Sequence, residues 1–255
     1  MADVLSTSRY KGDLTMPTAI VTGASSGIGL AIARALAARG YALVVTSRSI
    51  TTSHPSIAQI GAEHIAVITG DIADPGTARA AFEAAINRFG GIDLLINNAG
   101  IFIPKPFTQY TDEEYERLMA TNVRGFFNLT RPVLAHMLAR GAGHIVNITT
   151  SLAENPIKQV PCVLPMLAKG GLNAATRALA LEVSGTGVRV NAVSPGIIRT
   201  PMHPEHTHEM LATLHPMGRM GDPEDIARGV LYLEDSPFVT GEILHVDGGA
   251  SIGRW

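Results

Sequence analysis

The chain has 255 residues, 46% of them hydrophobic and 16% charged, with a formal net charge of −2. That length fits one domain with a single sizeable core, and so slight a charge excludes a nucleic-acid or anionic-membrane partner as a working expectation. Cys162 is the one cysteine, which rules out an intrachain disulfide and points to a reducing compartment.

Residues 1–15 are polar and aperiodic, without the apolar core of a signal peptide, and read as a flexible tail before a single domain over 16–255. No apolar run is long enough for a membrane span, so a cytoplasmic protein with no membrane partner is expected. An apolar strand over 18–21 runs into Val21-Thr22-Gly23-Ala24-Ser25-Ser26-Gly27-Ile28-Gly29, and an alanine-rich helix over 30–39 stops at Gly40. Strand, glycine turn and helix together set free backbone N–H groups, at the positive end of a helix dipole, around a phosphate. Gly23, Ser25, Ser26, Gly27, Ile28 and Gly29 are therefore candidate dinucleotide ligands. Gly23 permits the tight turn, Gly27 the close approach of a pyrophosphate, and Gly29 the packing of helix against sheet.

Further strands are predicted over 41–46, 64–69, 92–96, 144–149, 188–193 and 242–246. After the second strand comes a loop and a weak helix broken by Pro55. A helix over 74–89 opens with Asp74 as cap and Pro75 in the first helical position. Thr111 to Glu114 reads as a capping box opening a long helical region to about residue 140, and another helix is predicted over 165–183. Strands alternating with amphipathic helices imply right-handed crossovers and a parallel sheet covered on both faces. The expected fold is α/β, a single Rossmann-type doubly wound domain with a seven-stranded parallel sheet.

The spacing Gly-x-x-x-Gly-x-Gly resembles the short-chain dehydrogenase/reductase family. Matches follow in the family's order: Asp71-Ile72, Asn97-Asn98-Ala99-Gly100, Asn122, Ile145-Val146-Asn147-Ile148, Lys169, Arg189 to Gly196, and Gly241 to Gly249. The resemblance covers residues 16–250 and implies hydride transfer between a nicotinamide cofactor and a small-molecule carbonyl or alcohol substrate. It places Asp71 and Ile72 beside the adenine and Asn97, Ala99 and Gly100 along the ribose. Pro195, Gly196, Ile198 and Thr200 then hold the nicotinamide carboxamide. It also implies a homo-oligomer, tetramer or dimer, through 111–140, 165–183 and 241–255, with Phe126, Phe127, Leu179 and Leu181 as candidate contacts.

The second strand ends at Ser47, with Arg48 next. No carboxylate stands there to repel a 2′-phosphate and a guanidinium is available to pair with one, so NADP is expected over NAD. The alternative is that Arg48 is a solvated loop charge.

The family typically carries Tyr-x-x-x-Lys after the fifth strand, where the lysine holds the nicotinamide ribose and the phenol exchanges the proton. Here the segment reads Pro165-Met166-Leu167-Ala168-Lys169, and proline has no side-chain proton. The remaining catalytic candidates are Asn122, Lys169 and a hydroxyl that is either Thr150 or Ser151. Two readings stay open: an enzyme with a non-standard proton donor, such as the Lys169 ammonium or a water on it, or a catalytically degenerate nucleotide-binding or regulatory protein. Chemistry at Cys162 is a third, but a single cysteine more often serves as a small buried hydrophobe. His203, His206 and His208 do not share one helical face, so no metal site is expected and they are read as covering the substrate entrance. Phe102, Ile103, Phe107, Met202 and Met210 are candidates for an apolar substrate wall, and Glu154, Asn155, Lys158 and Gln159 lie on the loop before Pro161.

Overall fold

A computed structural model describes residues 16–51, 57 and 62–253. The tail expected over 1–15 and the break at Pro55 lie outside the described residues. The strands are β1 (Thr18–Thr22), β2 (Ala42–Ser47), β3 (Ile65–Thr69), β4 (Leu94–Asn97), β5 (Gly143–Ile148), β6 (Val188–Pro195) and β7 (Ile243–Val246). The helices are α1 (Gly27–Ala37), α2 (Pro75–Phe89), α3 (Asp112–Met119), α4 (Gly125–Arg140), α5 (Val163–Glu182), α6 (His208–Ala212) and α7 (Pro223–Asp235). A wide π turn over Ala120–Arg124 joins α3 to α4 without a break, as the long helical region predicts.

All seven strands pair in parallel, in the order β3-β2-β1-β4-β5-β6-β7. Successive residues of a strand point to opposite faces, which divides the core in two. Val21, Val45 and Ile96 pack with Ile32 and Leu36 of α1 and Val230 and Leu233 of α7. Ile20, Val44 and Leu95 point the other way, onto Ala81 of α2 and Leu129 and Val133 of α4. Chain order reverses between β1 and β4, and there the connections diverge to opposite faces and leave a crevice above the carboxyl ends of the strands.

The local signals that start helices act as expected. Asp74 accepts from Gly76 N and Thr77 N at 3.1 and 3.2 Å, and Thr111 and Glu114 close a capping box. Two boundaries move. Helix α1 begins at Gly27, three residues earlier than predicted, which takes the last two glycines into its first turn. Helix α5 begins at Val163 rather than at residue 165. Pro165 thus falls in the first turn, where a missing N–H breaks no helical bond. Helices α6 and α7 were not foreseen, although Asp222, Pro223 and Asp225 carry the signature of a helix start and form a capping box in α7.

Candidate functional site

The turn after β1 is held from both sides. Gly23 has φ +68°, a conformation that favours glycine, and a side chain there would press on the backbone of Ala99. Thr22 Oγ1 donates to the Ile96 carbonyl and accepts from the N–H groups of Asn98 and Ala99 at 3.0 and 2.9 Å. Asn98 Nδ2 donates in return to the carbonyls of Thr22 and Gly23 at 2.8 and 3.2 Å. A Cβ on Gly29 would collide with the Gly23 carbonyl and the Asn98 amide, so α1 approaches this turn only because Gly29 has none. Gly27 has φ +52°, and the Thr200 methyl lies 2.9 Å from the place a Cβ would take, so this glycine admits Thr200 as well as any ligand. Ser26 makes no side-chain cap and no acidic residue stands in the first turn of α1. The positive end of the helix dipole is left uncompensated, which fits an anionic diphosphate.

A cavity of about 370 Å³ lies under β7, and a larger one of about 730 Å³ opens from the glycine turn across the ends of β4, β5 and β6. Of the residues singled out in the sequence, Gly23, Ser26, Gly27, Ile28 and Gly29 line the larger cavity on one side. Ala99, Gly100, Thr150 and Lys169 line its floor, and Pro195, Gly196, Ile198 and Thr200 its far wall. Lys169 projects from α5, and its Nζ donates to the Ile148 carbonyl at 2.7 Å. Burial pushes the ammonium down to about 8. A Cβ on Gly100 would sit 3.1 Å from Lys169 Nζ and 3.2 Å from Asn122 Oδ1, so this glycine separates the two polar groups.

Several candidates stand apart from the cavity lining. Asn97 ends β4 with its side chain turned into the sheet, donating to Thr130 Oγ1 and Asn147 Oδ1 at 2.9 Å. The neighbouring Asn98, on the opposite side of the pleat, faces the cavity instead. Asn122, in the π turn, spends both amide atoms on the backbone of Ile101, at 2.8 and 3.0 Å. Ser151 is buried at the start of a 3₁₀ turn, whereas Thr150 lines the cavity and accepts from Leu152 N. Ser25 and Ser47 bond to each other at 2.9 Å, with Arg48 exposed beside them. Gly70 N donates to the Ser47 carbonyl, which sets Asp71 next to the end of β2. Asp71 accepts from Ala73 N, and Ile72 is buried against Gly125.

One side of the cavity is walled by apolar groups: Phe102, Leu152, Val160, Met202, Met210 and Leu211. Phe107 and Ile103 do not belong to this wall; Phe107 is exposed, and the Ile103 carbonyl accepts from Tyr110 Oη at 2.6 Å. Cys162 is buried and its thiol is pushed above its usual range, which keeps it from being a nucleophile. Among the described residues no group of three or more His, Cys, Asp or Glu side chains is placed to hold a metal ion.

Sequence reasoning missed His215. It is buried behind the far wall, and its Nε2 accepts from the N–H of Ile197 at 2.9 Å. Gly196 has no room for a side chain because His215 and Asp247 close on it. Neither contact has a signal in local spacing, since 18 residues separate His215 from Ile197.

Residues 23–251 match the family model described as enoyl-(acyl carrier protein) reductase. Galactitol 2-dehydrogenase (L-tagatose-forming) of Cereibacter sphaeroides is 38% identical over 242 residues, spanning 92% of this chain and 94% of the relative. The solved 3-ketoacyl-(acyl-carrier-protein) reductase of Brucella melitensis, complexed with NADH, superposes with a TM-score of 0.86 at 31% identity. That likeness covers 94% of this chain and 100% of the other. ElxO with NADP bound gives the same TM-score, 0.86, at 27% identity over 94% of this chain and 100% of its own. With its parallel sheet, glycine turn, buried lysine and end-to-end match to these proteins, the chain belongs to the short-chain dehydrogenase/reductase family.

Proposed function

We propose that this protein is an NADP(H)-dependent oxidoreductase that interconverts a carbonyl and a secondary alcohol, using a proton donor other than the family's tyrosine. The observation that carries the reading is Lys169, whose buried Nζ shares one cavity with the glycine turn. A bound nicotinamide dinucleotide supplies or accepts the hydride. The N–H groups of the α1 first turn hold its diphosphate. Of the three ammonium hydrogens of Lys169, one is committed to the Ile148 carbonyl, leaving two for the ribose hydroxyls. Asn122 acts through Ile101, fixing the loop that carries Gly100. Thr150 Oγ1 is the hydroxyl placed to polarise the substrate oxygen.

Pro165 stands four residues before Lys169, where the family pattern has its tyrosine, and brings no proton. This is the observation that favours the degenerate, non-catalytic reading. The retained cavity and the buried lysine outweigh it, because loss of one general acid–base step costs about 10²–10⁴-fold in rate and does not forbid turnover. The substrate we expect is a neutral apolar ketone or its alcohol, since no carboxylate and no arginine lines the cavity. NADP is favoured by the absence of an acidic group at Ser47 and by Arg48. Titrating both reduced cofactors tests it: Arg48→Ala should narrow the NADPH preference, and equal affinities in the unaltered protein would remove it.

A homo-oligomer is proposed through α4 and α5. Phe127, Leu167 and Leu181 are exposed there, and Gly170 and Gly171 leave open space on the α5 surface. Sedimentation should find a dimer or tetramer at micromolar concentration. A cytoplasmic location accords with the lone buried cysteine. The decisive experiment supplies NADPH and a panel of neutral ketones and aldehydes while reduced-nicotinamide absorbance is followed. Turnover of some member is expected. No turnover, together with none in Pro165→Tyr, would leave the nucleotide-binding reading standing.

A further inference from the structure

The larger cavity has few groups that can carry a proton. Among its lining residues only Lys169 and His203 are titratable. Of the lining hydroxyls and amides, Thr149 donates to the Val193 carbonyl, Thr150 accepts from Leu152 N and Asn98 holds the glycine turn, and none of these group types is a general base at neutral pH. Lys169 is anchored on the Ile148 carbonyl, under Gly100. Tyr110, the tyrosine nearest in sequence to the apolar wall, gives its hydroxyl hydrogen to Ile103.

His203 sits on the segment between β6 and α6. Its backbone is fixed by a turn, His203 N donating to the Thr200 carbonyl at 2.9 Å. Its own carbonyl lies 3.0 Å from His208 Nε2. Ring nitrogen Nδ1 is enclosed, and the Ile198 backbone is the polar group beside the ring. The residue is half-buried and lines the cavity together with Met202 and Ile198.

We infer that His203, which lines the same cavity as Lys169, is the residue that exchanges the proton with the substrate oxygen, through its imidazole ring, in place of the absent phenol. This rests on the carbonyl–alcohol reading above. In the oxidation direction the alcohol O–H bond breaks and its proton passes to the lone pair of the neutral imidazole. The carbinol C–H bond breaks with its electron pair, which leaves as hydride to oxidised nicotinamide, and the O–H electrons form the second C–O bond. Reduction runs the same transfers backwards, and the imidazolium returns its proton to the oxygen.

Burial lowers the imidazole below its ordinary value, the nearby charge of His208 adds to this, and the Ile198 backbone opposes it. The other titratable or charged groups of the same segment and helix are Arg199, Glu205, His206 and Glu209, and Lys169 is the one elsewhere in the cavity lining. A neutral imidazole is therefore the resting form at pH 7, so alcohol oxidation is the direction this arrangement serves at neutral pH. Oxidation should rise with pH and level off above the imidazole range, and reduction should fall over the same interval.

The test uses the full-length protein and His203→Gln, which keeps a polar side chain of similar reach without a titrating proton. NADPH affinity should stay within about twofold of the unaltered protein. Turnover should fall at least about 100-fold, and the pH step should vanish. His203→Gly should regain rate when free imidazole is added. A second readout does not depend on turnover: NMR titration of the His203 ring, with the resonance assigned by its loss in His203→Gln. Adding cyclohexanol or 1-phenylethanol with NADP should move its apparent pKa, and adding NADP alone should not. If the unaltered protein turns over but His203→Gln keeps its rate and pH profile, the proton-exchange role is overturned and the carbonyl reading survives. If the alcohols leave the ring titration unmoved while they are oxidised, the role is likewise overturned. If the unaltered protein turns over nothing, both fall together.

Discussion

The two walls of the large cavity are made in different ways. On the proposed nucleotide side the wall is backbone: the glycine turn, the first turn of α1 and the Asn98–Gly100 loop, tied by Thr22 and Asn98. On the proposed substrate side it is side chains from separate segments, among them Phe102, Leu152, Met202 and Met210. A backbone wall tolerates no added atoms, because its N–H groups must reach the ligand and its glycines already touch their neighbours. A side-chain wall can be repacked, methionine above all. The difference predicts that substitutions of the first wall's glycines cost fold and cofactor together, and those of the second wall's apolar side chains change which substrate is accepted.

Gly29→Val tests the rigid wall most severely. Its side chain would meet the Gly23 carbonyl and the Asn98 amide, so α1 has to move off the turn. We expect about 3 kcal/mol of destabilisation in urea unfolding and no measurable NADPH binding. A variant of unchanged stability that still binds NADPH would show that the turn is not rigid.

Lys169→Ala separates binding from fold. The lysine is buried with one hydrogen bond to a carbonyl, and removing it leaves the Ile148 oxygen without that donor. Nucleotide affinity should weaken by about 2 kcal/mol, roughly 30-fold, whether or not the protein turns over. Calorimetry giving an unaltered Kd would contradict the ribose role.

His215 supports the far wall from behind, through Ile197, and its effect depends on pH. Burial holds the imidazole below its usual value of 6.5, with Asp247 opposing the shift and Arg219 adding to it. As pH falls below about 6.5 the unfolded chain takes up a proton before the folded one does. The contribution of His215 to stability is therefore complete above that pH and is lost, at about 1.4 kcal/mol per pH unit, until the folded-state value is reached. His215→Gln can place an amide oxygen near the Ile197 N–H without titrating. Urea midpoints measured between pH 7.5 and 5.5 should fall less steeply in this variant, and equal slopes would exclude the imidazole as the cause.

The smallest expected effect on the nucleotide comes from the flexible wall. Met202→Ala with Met210→Ala removes two half-exposed side chains from the cavity. NADPH affinity should change by less than about twofold, while the ranking of ketones by kcat/KM should be rearranged. A large loss of NADPH binding would mean that the walls are not independent.

The Gly-x-x-x-Gly-x-Gly turn, the alternation of strands and helices and the caps at Asp74 and Thr111 were legible in the sequence, because each is fixed by neighbours a few residues away. From these came the parallel sheet and the glycine turn, whereas Lys169 was singled out by the family resemblance. The direction of Asn97 into the sheet, and of Asn98 out of it, depends on which residue ends β4, and no spacing specifies that. Thr150 rather than Ser151 faces the cavity for a similar reason: a 3₁₀ turn begins between them and carries the serine inward. The placing of Pro165 in the first turn of α5, where the helix tolerates it, depended on a boundary two residues from the expected one. His215 behind Ile197, and His203 in the one cavity with Lys169, are contacts between segments that only packing brings together. Local chemistry wrote the nucleotide wall into the sequence. The substrate wall exists only once distant segments have closed on the sheet, because its atoms share no helix, strand or turn.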